Sequence, residues 1–137
     1  MRRILIISHG PLAKGALESL RIFTPTLENV EAISAYTEEC PDPKPLVESF
    51  FKKASSEDQI IVFSDIVFGS VNQLIFPYLK RESTYVFSGF NFPMLLQLIA
   101  LSQDASEAEI RNLLSEGRQG IVYMNEYSFD QVEVEED

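Results

Sequence analysis

His9, the one histidine in 137 residues, stands directly after the apolar run Ile4-Leu5-Ile6-Ile7 and Ser8, and directly before Gly10-Pro11. Two later apolar runs end in the same way. "QIIVF" delivers Ser64-Asp65 followed by Gly69-Ser70, and "TYVF" delivers Ser88-Gly89 followed by Asn91. Imidazole is a nucleophile at neutral pH, and a carboxylate bonded to one ring nitrogen fixes the tautomer and frees the other. Backbone amides at a helix N-terminus make a ready seat for a phosphoryl group. A histidine, an aspartate and helix starts, with no metal-ligand cluster, therefore fit phosphoryl transfer through a phosphohistidine. Each residue also has a plainer explanation that the sequence leaves open. A histidine at a strand end can be structural, Asp65 can brace a loop, and Ser70 is a natural N-cap. Gly69 and Gly89 can simply supply positive backbone torsions.

Other chemistries have less support. One histidine and the single distant Cys40 do not supply a zinc ligand set, and no other cofactor is implied. Neither a GxxxxGK[ST] loop nor a GxGxxG turn occurs, which removes support for those modes of nucleotide binding. Ser–His–Asp hydrolysis lacks a Gly-x-Ser-x-Gly elbow. The net charge of −10 disfavours nucleic acid and is compatible with a basic protein partner. A lone cysteine cannot form an internal disulfide, which fits a reducing cytoplasm. The N-terminus is interrupted too soon for a signal peptide, and no later apolar stretch is long enough for a membrane span.

The elements that must position these groups follow from periodicity and punctuation. "RILIIS", "VEAISAY", "QIIVFSD" and "TYVFSG" read as strands. Residues 11 to 23 predict a helix through Leu12, Ala16, Leu17, Leu20 and Phe23. Pro45 can open a second helix with Leu46, Phe50 and Phe51 on one face. A third starts at Ser70 and should be kinked or cut short by Pro77. "NFPMLLQLIALS" is apolar on nearly every side, which predicts burial or contact with another subunit. Ser106-Glu107-Ala108-Glu109 has the capping-box pattern, and Gly117 is expected to end that helix. "GIVYM" reads as a last strand. Alternation of strands and helices predicts an α/β fold, a doubly wound sheet of four parallel strands flanked by helices. Parallel strands would bring the three polar exits to one edge of the sheet. The expected organisation is one domain over residues 1–125 and an acidic tail over 126–137, with no repeat or linker.

"IISHGPLAKGALESL", "VFSDIVFGSVNQL" and "YVFSGFNFPMLLQL" resemble, in the same order, the three signature segments of the mannose-type (mannose/fructose/sorbose) enzyme IIA components of the phosphoenolpyruvate-dependent sugar phosphotransferase system. The resemblance covers most of the chain and weakens from Ser106 onward. It implies that His9 accepts a phosphoryl group from the phosphocarrier protein HPr and passes it to a IIB component, which phosphorylates the sugar during uptake through membrane IIC and IID components. It implies a cytoplasmic phosphotransferase subunit in which Asp65 orients His9 and leaves Nε2 as nucleophile. Gly69 and Ser70 match the loop that seats the phosphoryl oxygens; Ser8 and Gly10, flanking His9, complete the expected phosphate-binding set. It further implies a homodimer in which the last strand, here "GIVYM", is exchanged to pair antiparallel on the neighbour's sheet. The loop departs from the family's usual Gly-Gly-Ser-Pro, reading Phe68-Gly69-Ser70-Val71, and Ser8 stands where threonine is common. Two alternatives share the fold: a phosphoryl donor subunit of a dihydroxyacetone kinase system, and a regulatory or binding module without transfer activity.

Overall fold

The computed structural model describes residues 1–128. Strand β1 (Arg2–His9) leads through Gly10-Pro11 into α1 (Leu12–Phe23), then β2 (Val30–Ala35), α2 (Lys44–Lys53), β3 (Gln59–Ser64) and the short α3 (Ser70–Ile75). β4 (Thr84–Ser88), α4 (Phe92–Ala100), α5 (Glu107–Arg111) and α6 (Leu113–Gln119) follow. The four strands are parallel in the order β2-β1-β3-β4.

Side-chain alternation along β1 explains why both faces of the sheet must be covered. Ile4 and Ile6 point to one side, where α1 and α4 lay Ala13, Ala16, Leu17, Leu20, Leu95 and Leu98 against them. Leu5 and Ile7 point to the other, against Val47, Phe50 and Phe51 of α2 and Val71 and Ile75 of α3. Phe63 of β3 is completely buried on the α1 side and stacks with Phe87 at 5.6 Å. The chain runs from β1 outward to β2, then crosses back to β3 on β1's other flank. The β1/β3 boundary is therefore the switch point where sites form in doubly wound sheets.

Several expectations are corrected in detail. Leu46 is exposed and Val47 takes its place in the core, because Pro45 occupies the first turn and α2 turns its 47/50/51 stripe inward. Leu12 and Phe23 are exposed at the ends of α1, which buries Ala13 instead. Pro77 does cut α3 short: a 3-10 turn, Phe76–Tyr78, replaces further α-helix. The capping box at Ser106 and Glu109 is present, but the helix breaks at Asn112 and Gly117 lies inside α6. Gly117 sits where α6 meets α4 closely: a Cβ there would lie 2.6 Å from the movable end of Met94, at Cε, and 3.2 Å from Met94 Cβ. Among the described residues "GIVYM" forms no strand: residues 121–123 are irregular and Met124–Glu126 is a 3-10 turn. A strand needs a ladder partner, and the amides of Ile121 and Glu126 donate to local turns instead, to the Arg118 and Tyr123 carbonyls. α4 buries Met94, Leu95 and Leu98, and its remaining apolar residues pack partly against the same core. The acidic tail falls mostly outside the described residues. Among those described, no helix is long and apolar enough to cross a membrane.

Candidate functional site

Register carries His9 to its partner. Ile7 of β1 lies opposite Ser64 of β3, so the residues just beyond, His9 and Asp65, emerge side by side at the carboxyl end of the switch point. The Asp65 carboxylate accepts the His9 backbone N–H at 2.8 Å through Oδ2, and the same oxygen lies 3.0 Å from ring Nδ1. Oδ1 accepts from the Ile66 amide at 3.0 Å. Burial alone would raise the Asp65 carboxyl, but the His9 amide, the His9 ring and the Ile66 amide together hold it below its ordinary value. An ionised carboxylate only accepts, so the hydrogen on Nδ1 faces Asp65, and in the neutral ring that tautomer leaves the lone pair on Nε2. The His9 side chain is 35% exposed, held at the rim and outside the core.

Gly69 lies along the free edge of that ring. Its backbone is extended (φ −178°), a conformation open to any residue, so no torsion requires glycine there. The requirement is space: a Cβ would lie 2.9 Å from His9 Cε1 and 3.2 Å from Nε2. Ser70, the first residue of α3, is not its N-cap; Gly69 holds that position. The Ser70 hydroxyl instead accepts from the Tyr36 hydroxyl at 2.7 Å. Phe68 is 88% exposed, so its ring points to solvent.

Not every expected ligand faces this space. Ser8 is buried; its hydroxyl donates to the Gly10 carbonyl at 3.0 Å and accepts the Ala13 amide at 2.8 Å. It ties the start of α1 to the strand, in the role an N-cap side chain would play. The Gly10 amide is bonded to the Ala35 carbonyl at 2.9 Å, and the residue serves through its positive φ of 68°. Neither Ser8 nor Gly10 offers a group to a phosphoryl seat in this geometry. Gly89 does adopt a positive φ, of 87°. Asn91 caps α4 through the Met94 amide and donates to the Gly117 carbonyl at 2.6 Å, which fixes α6 to α4. No group of three or more histidine, cysteine, aspartate or glutamate side chains capable of holding a metal occurs among the described residues.

Two residues of the site escaped the sequence reading as functional groups. Asn72 is buried, and its Nδ2 donates to the carbonyls of Ile66 at 2.8 Å and Val67 at 2.7 Å and to Ser88 Oγ at 2.8 Å. Its Oδ1 accepts from buried Ser64 Oγ at 2.7 Å. Asn72 thus holds the 65–69 loop in place, and a polar residue at an inward position of α3, beside Val71, was the available signal. The second is Tyr36, at the exit of β2. Its ring centroid lies 5.7 Å from that of His9, and its hydroxyl reaches Ser70. The parallel-edge rule that singled out the exits of β1, β3 and β4 applies equally to β2 and would have included it. Beside His9, an open groove of about 740 Å³ runs between Pro11, Leu12, Gly15 and Ala16 of the α1 region and Phe90 and Phe92.

Comparison with known proteins gives a consistent picture. A family model described as the PTS system fructose IIA component matches residues 3–114. Among solved structures, a protein of Klebsiella pneumoniae described as a phosphoenolpyruvate-dependent sugar phosphotransferase system permease superposes with a TM-score of 0.82 at 31% identity, covering 91% of this chain and 92% of its own. A IIA protein associated with the fucose utilization operon of Streptococcus pneumoniae gives 0.77 at 21% identity, over 90% of this chain and 93% of its own. A mannose/sorbose-specific IIA subunit from Enterococcus faecalis gives 0.76 at 14%, over 98% and 97%; at such identities the last two speak to fold alone. No curated protein matches the sequence. With the family model spanning both strand exits that supply His9 and Asp65, the chain belongs to the mannose-type enzyme IIA family of the sugar phosphotransferase system.

Proposed function

We propose that this chain is a phosphoryl relay that works through His9. The observation that carries the reading is the His9–Asp65 pair, with Nδ1 held at 3.0 Å from the carboxylate and Nε2 left at the rim beside Gly69. The Nε2 lone pair attacks phosphorus on the phosphohistidine of HPr; the donor's P–N bond breaks as the new one forms, and the donor imidazole keeps the electron pair. The second transfer, to a IIB component, reverses these roles. Positive charge gained by the His9 ring when Nε2 binds phosphorus is balanced by the Asp65 carboxylate. The Ser70 hydroxyl and the backbone at Gly69–Ser70, where a helix start leaves amides without an intrahelical acceptor, receive the phosphoryl oxygens. Phe68 replaces a family glycine without blocking this space, which favours an active relay over a module that has lost transfer. The groove beside His9 is the surface on which HPr and IIB dock, and sugar uptake through IIC and IID lies downstream.

The assembly in this reading is a cytoplasmic homodimer of single-domain subunits. Supporting it, the outer edge of β4 is unpaired among the described residues and is flanked by a groove of about 340 Å³ bounded by Glu107, Arg111 and Leu114. Ile121, Tyr123 and Met124 meanwhile stand exposed just after α6. Exchange of this segment onto a partner's β4 edge would satisfy both.

The test is incubation with phosphoenolpyruvate, enzyme I and HPr. An acid-labile phosphoryl adduct is expected on the wild-type chain and absent from His9→Ala. Labelling of His9→Ala at the wild-type level would overturn the assignment.

A further inference from the structure

Tyr36 occupies a backbone conformation that a bulky side chain seldom adopts. Its φ is +62°, in the left-handed region where glycine and asparagine are favoured. A tight turn holds it there. The Tyr36 amide donates to the Cys40 carbonyl at 2.8 Å, the Cys40 amide to the Thr37 carbonyl at 3.1 Å, and the Thr37 hydroxyl to the Ser34 carbonyl at 2.8 Å. The side chain gains little burial in exchange, since it is about half exposed. Strain of this kind persists where the surrounding structure over-determines it, and it collects at functional sites.

The conformation sends the phenol across the mouth of the site. One end of the side chain borders the His9 imidazole, with ring centroids 5.7 Å apart and planes tilted by 35°; the other end donates to Ser70 Oγ at 2.7 Å. A serine hydroxyl has one proton and two acceptor lone pairs. By accepting from Tyr36, Ser70 has its own proton directed to a different acceptor, and no other side-chain hydrogen bond engages that hydroxyl among the described residues. The Gly69 backbone lies along the imidazole edge that carries Nε2, and the Tyr36 ring borders the same imidazole with centroids 5.7 Å apart.

Resting on the phosphoryl-relay reading, we propose that Tyr36 is a positioning residue for the transfer. Its hydroxyl orients the Ser70 hydroxyl as donor to a phosphoryl oxygen, and its ring restricts the rotation of His9. The role is chemical orientation rather than docking. The maximal rate should therefore respond to its loss, while the concentration of HPr needed for half-maximal rate should not.

Rapid-mixing measurements of transfer from phosphorylated HPr to the full chain test this with Tyr36→Phe, Tyr36→Asn, Ser70→Ala and the Tyr36→Phe/Ser70→Ala double variant. Tyr36→Phe keeps the ring and should lower the maximal rate about tenfold, with KM for phosphorylated HPr within about twofold of wild type. Tyr36→Asn, which suits the left-handed turn and removes the ring as well, should stay folded and be slower still. In the Ser70→Ala background, Tyr36→Phe should cost nothing further, because the hydroxyl it orients is gone. A wild-type rate in Tyr36→Phe, losses that simply multiply in the double variant, or a raised KM at unchanged maximal rate would each overturn the proposal and leave the relay standing. A wild-type chain that takes no phosphoryl group from HPr would overturn both.

Discussion

The two ends of the sheet each hold a carboxylate against a base, and only one pair is built to react. At the amino end, Asp58 accepts from the Ser55 amide at 3.0 Å and pairs with Arg3 Nε at 3.0 Å and the N-terminal ammonium at 3.3 Å. Arg2 next to it is buried, bonded to Gln59 and to the carbonyls of Leu101 and Ser102. The Arg81 guanidinium closes the corner on the Ser55 and Asp58 carbonyls. At the carboxyl end, Asp65 binds His9 at similar distances, and its carboxyl is also held below the ordinary value. The difference is the base. A guanidinium is charged at every ordinary pH and has no lone pair to offer, so the Asp58 cluster can only clamp. An imidazole held by one nitrogen retains the other as a nucleophile. Geometry at the acid is alike; the unused atom on its partner separates clamp from site.

Exchanging the two acids for alanine breaks this contrast most sharply. Asp65→Ala should slow phosphoryl transfer a hundredfold or more, on the order of the loss seen when an orienting carboxylate is removed from a histidine. Asp58→Ala should lower the melting temperature and leave transfer within about twofold of wild type. The reverse pattern would erase the distinction between the two ends. Asn72→Ala comes next. It deprives the Ile66 and Val67 carbonyls of their partner, and Ser64 of one of two, and should cost about 1–3 kcal/mol in urea unfolding, with transfer slowed because the loop bearing Gly69 is released. Gly69→Ala should leave stability near wild type and slow transfer about tenfold, since the added methyl must push the imidazole aside.

The smallest effect is the pH dependence of folding. Asp58 is drawn well below the ordinary carboxylate range, first by the Ser55 amide and then by Arg3, against an opposing effect of burial. Asp65 is lowered as well, its hydrogen bonds outweighing its burial. A carboxyl whose folded value lies below its unfolded value of about 4 stabilises the protein above that pH. The contribution is lost as pH falls toward the folded value. Unfolding midpoints should therefore be flat from about pH 7 to 5 and decline below about 4, with a shallower decline in Asp58→Asn. An unaltered slope in that variant would show that the amino-end clamp does not titrate as described.

The strands and the acid–base pair were legible in the sequence because their signals are local. Four apolar runs of strand length, each closed by glycine or polar residues, fix a parallel α/β sheet, and the order of exits places His9 near Asp65. What the sequence concealed depends on contacts between distant segments. Ser8 looks like a phosphate ligand until the start of α1 is seen to claim its hydroxyl. Gly69 reads as a torsional glycine, but its need arises from a ring sixty residues earlier. Gly117 resembles a helix terminator and is instead the point where α6 meets Met94. Asn72 and Tyr36 carry no motif of their own, and their functional character comes from the partners the fold supplies. "GIVYM" has strand-forming residues and no ladder partner among the described residues.

Nitrogen-15 and phosphorus-31 NMR of the chain before and after phosphorylation by HPr identifies the ring nitrogen that carries phosphorus. A relay through Nε2 requires a His9 ring protonated at Nδ1 and unprotonated at Nε2 before transfer, and phosphorus–nitrogen coupling at Nε2 afterward. Coupling at Nδ1, or phosphorus on any residue other than His9, would contradict it.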